Sequence, residues 1–362
     1  MKNTKKRRIS NILVTGGCGF IGSNFIRYLF SRDDFKGKII NLDLLTYAAS
    51  PLNLSDIEKQ HGKKRYFFTK GDICDSKLIE KIFSDYSIDT VVNFAAESHV
   101  DRSILGPAEF VRTNIQGTFN LLDTFRRYSA EKSGTLFHHV STDEVYGSLG
   151  KSGEFFEDTP YDPRSPYSAS KASSDHLVKA YHHTYELPVT ISNCSNNYGP
   201  YQFPEKLIPL MICNMIQEKP LPVYGDGKNI RDWLYVTDHC EGIISVLTEG
   251  RCGETYNIGG ETEKENIALV ETLCEFMAEF SEKPIDYYKK LITFVPDRPG
   301  HDRRYAINCD KLKKETGWKQ CHNFEAGLEK TVRWYLNSEK WLEKVMDKTY
   351  QKWIKSHYEK RQ

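Results

Sequence analysis

The sequence predicts an α/β fold, a doubly wound parallel sheet followed by a smaller C-terminal domain. Three observations carry this. Between Asn11 and Ser195 short β-branched runs alternate with longer segments of helical period. The runs are apolar at most positions, as strands covered on both faces must be, whereas a sheet with one wet face would alternate. After Ser195 the rhythm breaks, and Gly, Pro and Asn punctuate the chain.

Taken in order, NILVT is the first strand and runs through glycines into the helical FIGSNFIRYLF; KIINLD is the second; RYFFTKGD precedes the helical SKLIEKIFSDY. TVVNFAA and a long amphipathic stretch from Pro107 to Tyr128 follow, then LFHHVST, the helical SPYSASKASSDHLVKAYHHTY and the strand VTISNCS. The loops NNYGPYQFPEK, VYGDGKN, IGGETEK and DRPGH place the second domain at 196–231 and 258–336, over the carboxyl ends of the strands where ligands bind in such folds. A segment near 232–257 is expected to return to the first domain, 11–195. MKNTKKRRIS reads as a solvated basic tail over 1–10, and the charged, amphipathic end as a helical extension over 337–362.

At 362 residues the chain is long enough to bury a sizeable core. Lys plus Arg number 50 against 49 for Asp plus Glu, so the net charge of +1 predicts neither nucleic acid nor a membrane surface as partner. An anion must be held by a local site instead. Nine scattered cysteines, with no C-x-x-C pair and no Cys/His ligand spacing, predict reduced thiols, a cytoplasmic setting and no metal site. No apolar run reaches membrane-spanning length, and the basic start lacks the cleavage site of a signal peptide.

Gly16, Gly19 and Gly22 form G-x-x-G-x-x-G between the first strand and its helix. Such glycines let a backbone turn tightly and approach a pyrophosphate, which the free N–H groups and positive dipole end of the helix attract. Without the strand and helix the same spacing would be only a tight turn. Asp43 closes the second strand about 20 residues later, where an acid accepts hydrogen bonds from ribose hydroxyls. No Arg follows it directly, so NAD is expected as cofactor rather than NADP, whose additional phosphate Asp43 would repel. Asp72, in KGDICD, is placed either to touch the adenine edge or to cap the next helix.

Tyr167 and Lys171 lie four residues apart in SPYSASK and share a helix face. A phenol titrates near about 10, too high for a base at neutral pH, but an adjacent ammonium and a cationic nicotinamide favour the phenolate. Ser141 and Thr142, at the end of the preceding strand, are able to bond the same substrate oxygen. Directly after them stand Asp143 and Glu144, two adjacent carboxylates where a quiet turn is usual.

GGCGFIGS, NLDLLTYA, GDIC, NFAAESHVDRSI, STDEVYG, SPYSASKASSDHLV, NCSNNYGPYQFPEKLIPL, LPVYGDGKNIRDWLYVTDH and DRPGHDRRYAI agree in order and spacing with one family. From Asn11 to Leu336 the chain resembles the dTDP-glucose 4,6-dehydratases of the extended short-chain dehydrogenase/reductase superfamily. The resemblance implies a Rossmann-type sheet with a smaller C-terminal substrate-binding domain, NAD as cofactor and dTDP-glucose as substrate. It implies that Tyr167 takes the proton of the sugar O4 as NAD accepts the C4 hydride, giving a 4-ketone that acidifies the C5 proton. Glu144 then removes that proton while Asp143 protonates the departing C6 hydroxyl, and the hydride returns to C6. Burial and mutual repulsion raise one pKa of such a pair, so a neutral acid and an ionised base coexist. The plain alternatives are that the two carboxylates cap the next segment or bind Mg.

By the same resemblance Phe20, Ile21, Leu44, Thr46, Ile73, Ala95, Ala96, Ser98, Thr113 and Asn197 join the glycines, Asp43, Asp72, Tyr167 and Lys171 around the cofactor. Ser98, Thr142 and Asn196 reach the substrate, and Thr142 belongs to the catalytic set. Lys206, Leu207, Pro222, Val223 and Tyr224 enclose the thymidine; Arg231, Asn266, Asp297, Arg298 and His301 hold the diphosphate and its sugars, a task suited to a guanidinium fork. Taken singly, Asn196 and Asn197 are turn formers, Tyr224 a core ring and His301 a solvated loop residue. The chain departs from the family at Leu44, where Lys is common, and at Ala49, where TYAG becomes TYAA. The superfamily implies a homodimer through a helix bundle that includes Pro107–Tyr128. The alternative is a dehydratase or epimerase acting on a UDP- or GDP-hexose; an epimerase needs no acid for C6, and the mannose dehydratases resemble a variant without this Asp. A catalytically dead NAD-binding regulator need not keep Asp143, Glu144, Tyr167 and Lys171 together.

Overall fold

The computed structural model describes residues 6–130, 132–346 and 350. Its strands are, in chain order, β1 (Asn11–Thr15), β2 (Lys38–Asp43), β3 (Tyr66–Lys70), β4 (Thr90–Asn93), β5 (Leu136–Thr142), β6 (Val189–Cys194), β7 (Asn196–Tyr198), β8 (Leu221–Tyr224), β9 (Ile230–Tyr235), β10 (Thr255–Ile258), β11 (Glu263–Glu265) and β12 (Ile292–Val295). Seven of them make one sheet in the order β10-β6-β5-β4-β1-β2-β3, every pairing parallel. The chain therefore switches direction between β1 and β4, and a crevice opens there beyond the carboxyl ends of the strands.

The unbroken apolar runs follow from coverage on both faces. In β1, Ile12 and Val14 pack with Phe25 and Ile26 of the helix Phe20–Ser31 and with Ile243 and Leu247 of the helix Val236–Glu249. Leu13, pointing the other way, packs with Ile79 and Phe83 of the helix Ser76–Tyr86 and with Leu121 and Phe125 of the helix Thr118–Ser129. Each such side chain taken fully out of water contributes roughly 1.5–3 kcal/mol, so a polar substitution on either face of β1 would be costly.

After β6 the chain builds a second core of its own. Met211 and Ile212, Leu269 and Leu273, and Leu328 and Val332 lie on three helices, Leu207–Ile216, Asn266–Glu279 and Phe324–Leu336, and pack around Trp233. Two small sheets accompany them, β7-β9-β11 and β8-β12. The helix Val236–Glu249 and β10 return to the large sheet, whereas in the small one Asp232 pairs with β11 and 233–235 pair with β7.

The basic start departs from the reading as a solvated tail. Residues 1–5 lie outside the described residues, but Arg7 donates to the carbonyls of Val246, Leu247 and Gly250 at the C-terminal end of the helix Val236–Glu249. A cation at those unsatisfied carbonyls is favoured by the helix dipole. At the other end of the chain the helix Glu339–Val345 is formed and Trp341 Nε1 donates to Asn53 Oδ1 at 2.7 Å; 351–362 of the predicted extension lie outside the described residues.

The stretch predicted from Pro107 to Tyr128 is helical but not uniform. A π-helical turn, Val111–Gly117, separates the short Ala108–Phe110 from Thr118–Ser129. The extra residue aims Asn114 inward: its Oδ1 accepts from the Glu97 N–H at 2.9 Å and its Nδ2 donates to Ser170 Oγ at 2.8 Å. Such turns cluster at functional sites.

Candidate active site

A cleft with about 1600 Å³ of empty space runs across the carboxyl ends of the large sheet. Every residue predicted to touch the cofactor lines it, from the glycine loop through Thr113 to Asn197, and so do Thr142, Asp143, Glu144, Ser98, Asn196 and Lys206.

At one end lies the glycine loop. Gly16 has φ +69°, and a Cβ there would fall 2.7 Å from Ala95 N; on Gly22 it would fall 2.4 Å from Gly16 O. Gly19 caps the helix Phe20–Ser31 without a side-chain hydrogen bond, which leaves the helix N-terminus open to an anion. Asp43 is buried; it accepts from Cys18 N–H at 2.8 Å and from Leu45 N–H at 2.7 Å, and burial raises its pKa against those two bonds. Leu44 is exposed at the rim. Asp72 does not cap the next helix: Asp75 does, accepting from Leu78 N–H at 3.1 Å, while Asp72 accepts from Cys74 N–H at 2.8 Å and pairs with Arg112.

At the other end the helix Pro166–Tyr185 begins with a capping box, Ser165 and Ser168 each accepting the other's N–H at 3.0 Å, with Pro166 at its first position. This start fixes the phase that turns Tyr167 and Lys171 to the cleft. Tyr167 packs edge-on against Phe110, and Lys171 Nζ donates to Val140 O at 2.8 Å. Burial lowers the Lys171 pKa to about 8, the Asp175 carboxylate opposing. Burial, with Glu144 adding its charge, raises the Tyr167 phenol well above its usual range, and hydrogen bonding to Thr142 works against this.

The paired carboxylates are treated unequally. Thr142 Oγ1 accepts from Glu144 N–H at 3.3 Å and so caps the turn Asp143–Tyr146; neither carboxylate does. Asp143 is 2% exposed, and its Oδ2 has no hydrogen-bond partner within the protein. Burial, then the charges of Glu144 and Asp232, raise its pKa well above the usual carboxylate range. Burial also raises Glu144, but the cations Arg298, Lys206 and Arg231 pull it down. Burial and charge thus favour the protonated form of Asp143 more strongly than that of Glu144, in one cleft.

The remaining predicted substrate residues do not line this cavity. Leu207 packs against the second core and Val223 is buried within it. Tyr224 is not a core ring: its hydroxyl donates to Asp101 Oδ2 at 3.2 Å, and its edge meets His301 at 6.1 Å. His301 is not solvated; burial, then Arg298 and Arg231, lower its pKa to about 4, and its Nδ1 lies 2.6 Å from Asp297 Oδ1. Arg298 Nη1 stands 3.7 Å from Asp101 Oδ1. Arg231 donates to the carbonyls of Ile230 and Asp302 and lies over the Tyr305 ring. Asn266 Oδ1 and Arg298 Nε are buried without hydrogen-bond partners. Pro222 sits in β8 beside Val223. These groups form a second polar cluster adjoining the cleft, with Asp101 among them, a residue that sequence reasoning missed because nothing in HVDRSI marks it. Asn196 and Asn197 lie in β7 rather than a free turn; Asn196 Oδ1 is unpaired within the protein, while Asn197 Oδ1 meets His239 Nδ1 at 2.9 Å.

Residues 13–331 match the family described as GDP-mannose 4,6 dehydratase. The dTDP-glucose 4,6-dehydratase of Salmonella typhimurium is 52% identical over 97% of this chain and 99% of its own. The chain belongs to the dTDP-glucose 4,6-dehydratase family. Among solved structures, the Bacillus anthracis dTDP-glucose 4,6-dehydratase in complex with NAD matches with a TM-score of 0.83 at 48% identity, covering 93% of this chain and 99% of that one. The Streptomyces venezuelae dTDP-glucose 4,6-dehydratase with NAD and TYD bound matches with 0.85 at 44% identity, covering 92% and 99%. Within this dehydratase family cleft, Glu97 lines the wall with the rest of the segment 95–98, while Cys194 and Glu205 are lining residues that sequence reasoning had not singled out. Glu205 is buried beneath Tyr47, whose hydroxyl donates to it at 2.8 Å, and Arg102 reaches it at 3.2 Å. Its place next to Lys206 in QFPEK was the available signal.

Proposed function

We propose that this chain is a hydro-lyase that converts dTDP-glucose to dTDP-4-keto-6-deoxyglucose and water. The observation that carries the reading is Asp143: a cleft-lining carboxyl whose pKa is raised well above the usual range, with a buried oxygen that has no hydrogen-bond partner in the protein, directly before Glu144 in the chain. Neither an epimerase nor a cofactor-binding regulator needs that acid.

NAD fits the residues present. Gly16, Gly19 and Gly22 leave a cradle that a Cβ would fill, the helix behind them offers its uncapped N-terminus, and Asp43 awaits a ribose. When bound, NAD supplies an acceptor for the C4 hydride and later a donor of that hydride to C6. Burial raises the Tyr167 phenol in the protein alone, and the positive charge of Lys171 one helical turn away, together with the cationic nicotinamide once bound, favours the phenolate that takes the O4 proton. Glu144 removes the C5 proton, favoured as an ion by Arg298, Lys206 and Arg231; Asp143 gives its proton to the C6 hydroxyl as water leaves, and Glu144 afterwards returns a solvent-exchanged proton to C5. Both must act across one bond, which is why they are neighbours in sequence. Thr142, through its hydroxyl, and Ser98 and Asn196 orient the hexose; Asn197 supports the cofactor. Lys206, with Leu207, Pro222, Val223 and Tyr224, closes on the thymidine, and Arg231, Asn266, Asp297, Arg298 and His301 receive the diphosphate.

The enzyme acts as a homodimer. The segment from Val100 to Ser129 exposes Leu105 (76%) and Val111 (54%) together with Phe119, an apolar row suited to a second copy of itself. A cytoplasmic setting is supported by nine cysteines that are all unpaired. No described helix is long and apolar enough to cross a membrane.

The test is mass spectrometry of dTDP-glucose incubated with the purified protein in deuterated water without added NAD. Loss of one water with one deuteron gained at C5 is expected. Unchanged dTDP-glucose, with conversion of a UDP- or GDP-hexose, would overturn the reading.

A further inference from the structure

One helical turn beyond Lys171 the chain buries an acid for which the reaction above has no use. Asp175 is fully buried and does not line the cleft. Ser141 Oγ and Tyr161 OH donate to its Oδ2 at 2.7 and 3.0 Å. Its other oxygen, Oδ1, has no hydrogen-bond partner and lies 3.4 Å from Nε2 of His139, a ring buried in β5. The same Nε2 is 3.2 Å from Lys171 Nζ.

The hydrogen on that ring is placed by its other neighbour. Ala95 N–H donates to Thr15 Oγ1 at 3.3 Å, and the Thr15 hydroxyl donates to Asn93 Oδ1 at 2.6 Å. The Asn93 amide thus turns Nδ2 to His139 Nδ1, at 3.1 Å. Nδ1 accepts, so Nε2 carries the hydrogen and turns it toward the Asp175 carboxylate; the Lys171 ammonium, a donor only, takes no hydrogen bond from it. Asp175, His139 and Lys171 are each no more than 3% exposed, so water screens none of them from the others.

The charges agree with the geometry. Burial works against the Lys171 ammonium, and Asp175, with Cys194 of β6, works for it. Burial raises Asp175 to about 6, opposed by Lys171, Ser141, Tyr161 and Lys179. Burial, then Lys171 and His138, hold the His139 ring well below its usual pKa, so it stays neutral and adds no charge of its own between the carboxylate and the ammonium. Between about pH 6 and pH 8 the arrangement is a carboxylate, a neutral ring and an ammonium.

We propose that Asp175, by its charge across the neutral His139 ring, is a positioning residue that keeps Lys171 charged and thereby sets the pH range over which Tyr167 takes a proton. The proposal rests on the dehydratase reading for its chemistry, but the charge coupling is measurable without substrate. Lysines labelled with carbon-13 at Cε are titrated by NMR, the Lys171 signal being assigned by its loss in Lys171→Met. In Asp175→Asn the Lys171 midpoint is expected to fall by roughly one unit or more, and the alkaline limb of kcat/KM for dTDP-glucose to move with it. Tyr161→Phe keeps the carboxylate and removes one donor, so it should raise the acid limb; it decides the matter if Asp175→Asn does not fold. An unmoved Lys171 midpoint in Asp175→Asn, or an unmoved acid limb in Tyr161→Phe, overturns the proposal. A wild-type protein inert to dTDP-glucose would instead overturn the substrate reading, with the NMR titration still deciding the coupling.

Discussion

Asp143→Asn separates the acid from everything else the site does. Asparagine has nearly the shape of aspartic acid, and because burial and the neighbouring charges favour the protonated form of Asp143, the substitution mimics that form. Its oxygen can still accept from Thr142, the bond seen at 3.3 Å, and its amide takes the place of the unpartnered Oδ2. What is lost is a proton that can leave. A positioned general acid contributes roughly a hundred- to ten-thousand-fold, equivalent to about 2.7–5.4 kcal/mol of barrier. We therefore expect kcat for formation of the 4-keto-6-deoxy product to fall by that factor. KM should change by no more than about threefold, since an interaction made only in the transition state is removed. Steady-state assay of water loss by mass spectrometry gives both constants. In deuterated water the recovered substrate should carry C5 deuterium, because Glu144 is untouched. Full turnover by the variant, or a raised KM at unchanged kcat, would refute the assignment.

Three further outcomes are expected. Gly22→Ala would place a methyl 2.4 Å from Gly16 O and 2.8 Å from Gly17 Cα, so the purified variant should retain at least about tenfold less NAD, read by chromatography after denaturation; a full complement would contradict the cradle. The pKa values of Asp143 and Glu144 are raised on folding, so the folded chain binds more protons than the unfolded one as pH rises above about 4, and ionisation of the pair costs stability. Asp143→Asn should accordingly melt higher than wild type at pH 8, by scanning calorimetry, with the gap closing toward pH 4; a lower melting temperature at pH 8 would reverse the sign. Leu105→Glu with Val111→Glu should turn a dimer into a monomer in sedimentation at micromolar protein, while wild type sedimenting only as monomer would reject the interface.

Much of this molecule is local and was legible in sequence. Strands covered on both faces leave runs such as NILV and TVVN, and helices leave their period, so the order of elements in the large sheet follows from the chain alone. The same holds for groups that act within one turn of backbone: the glycine loop, the Tyr167 and Lys171 pair, and Asp143 beside Glu144. What the tertiary structure decided depends on which distant segments share low-dielectric space. Adjacency in sequence could not say that Asp143 is the neutral partner; Asp232 from β9, and Arg298 and Lys206 beside Glu144, divide the two. Of the two readings left open for Asp72 the cap fails, because Asp75 stands directly before the helix Ser76–Tyr86 and accepts from Leu78 N–H. Arg7 leaves solvent because the end of a helix some 240 positions away, at Leu247, offers unsatisfied carbonyls. Asp175 carries no mark in the sequence, since only the fold brings it, the His139 ring of β5 and the Lys171 ammonium from two elements into one dry place.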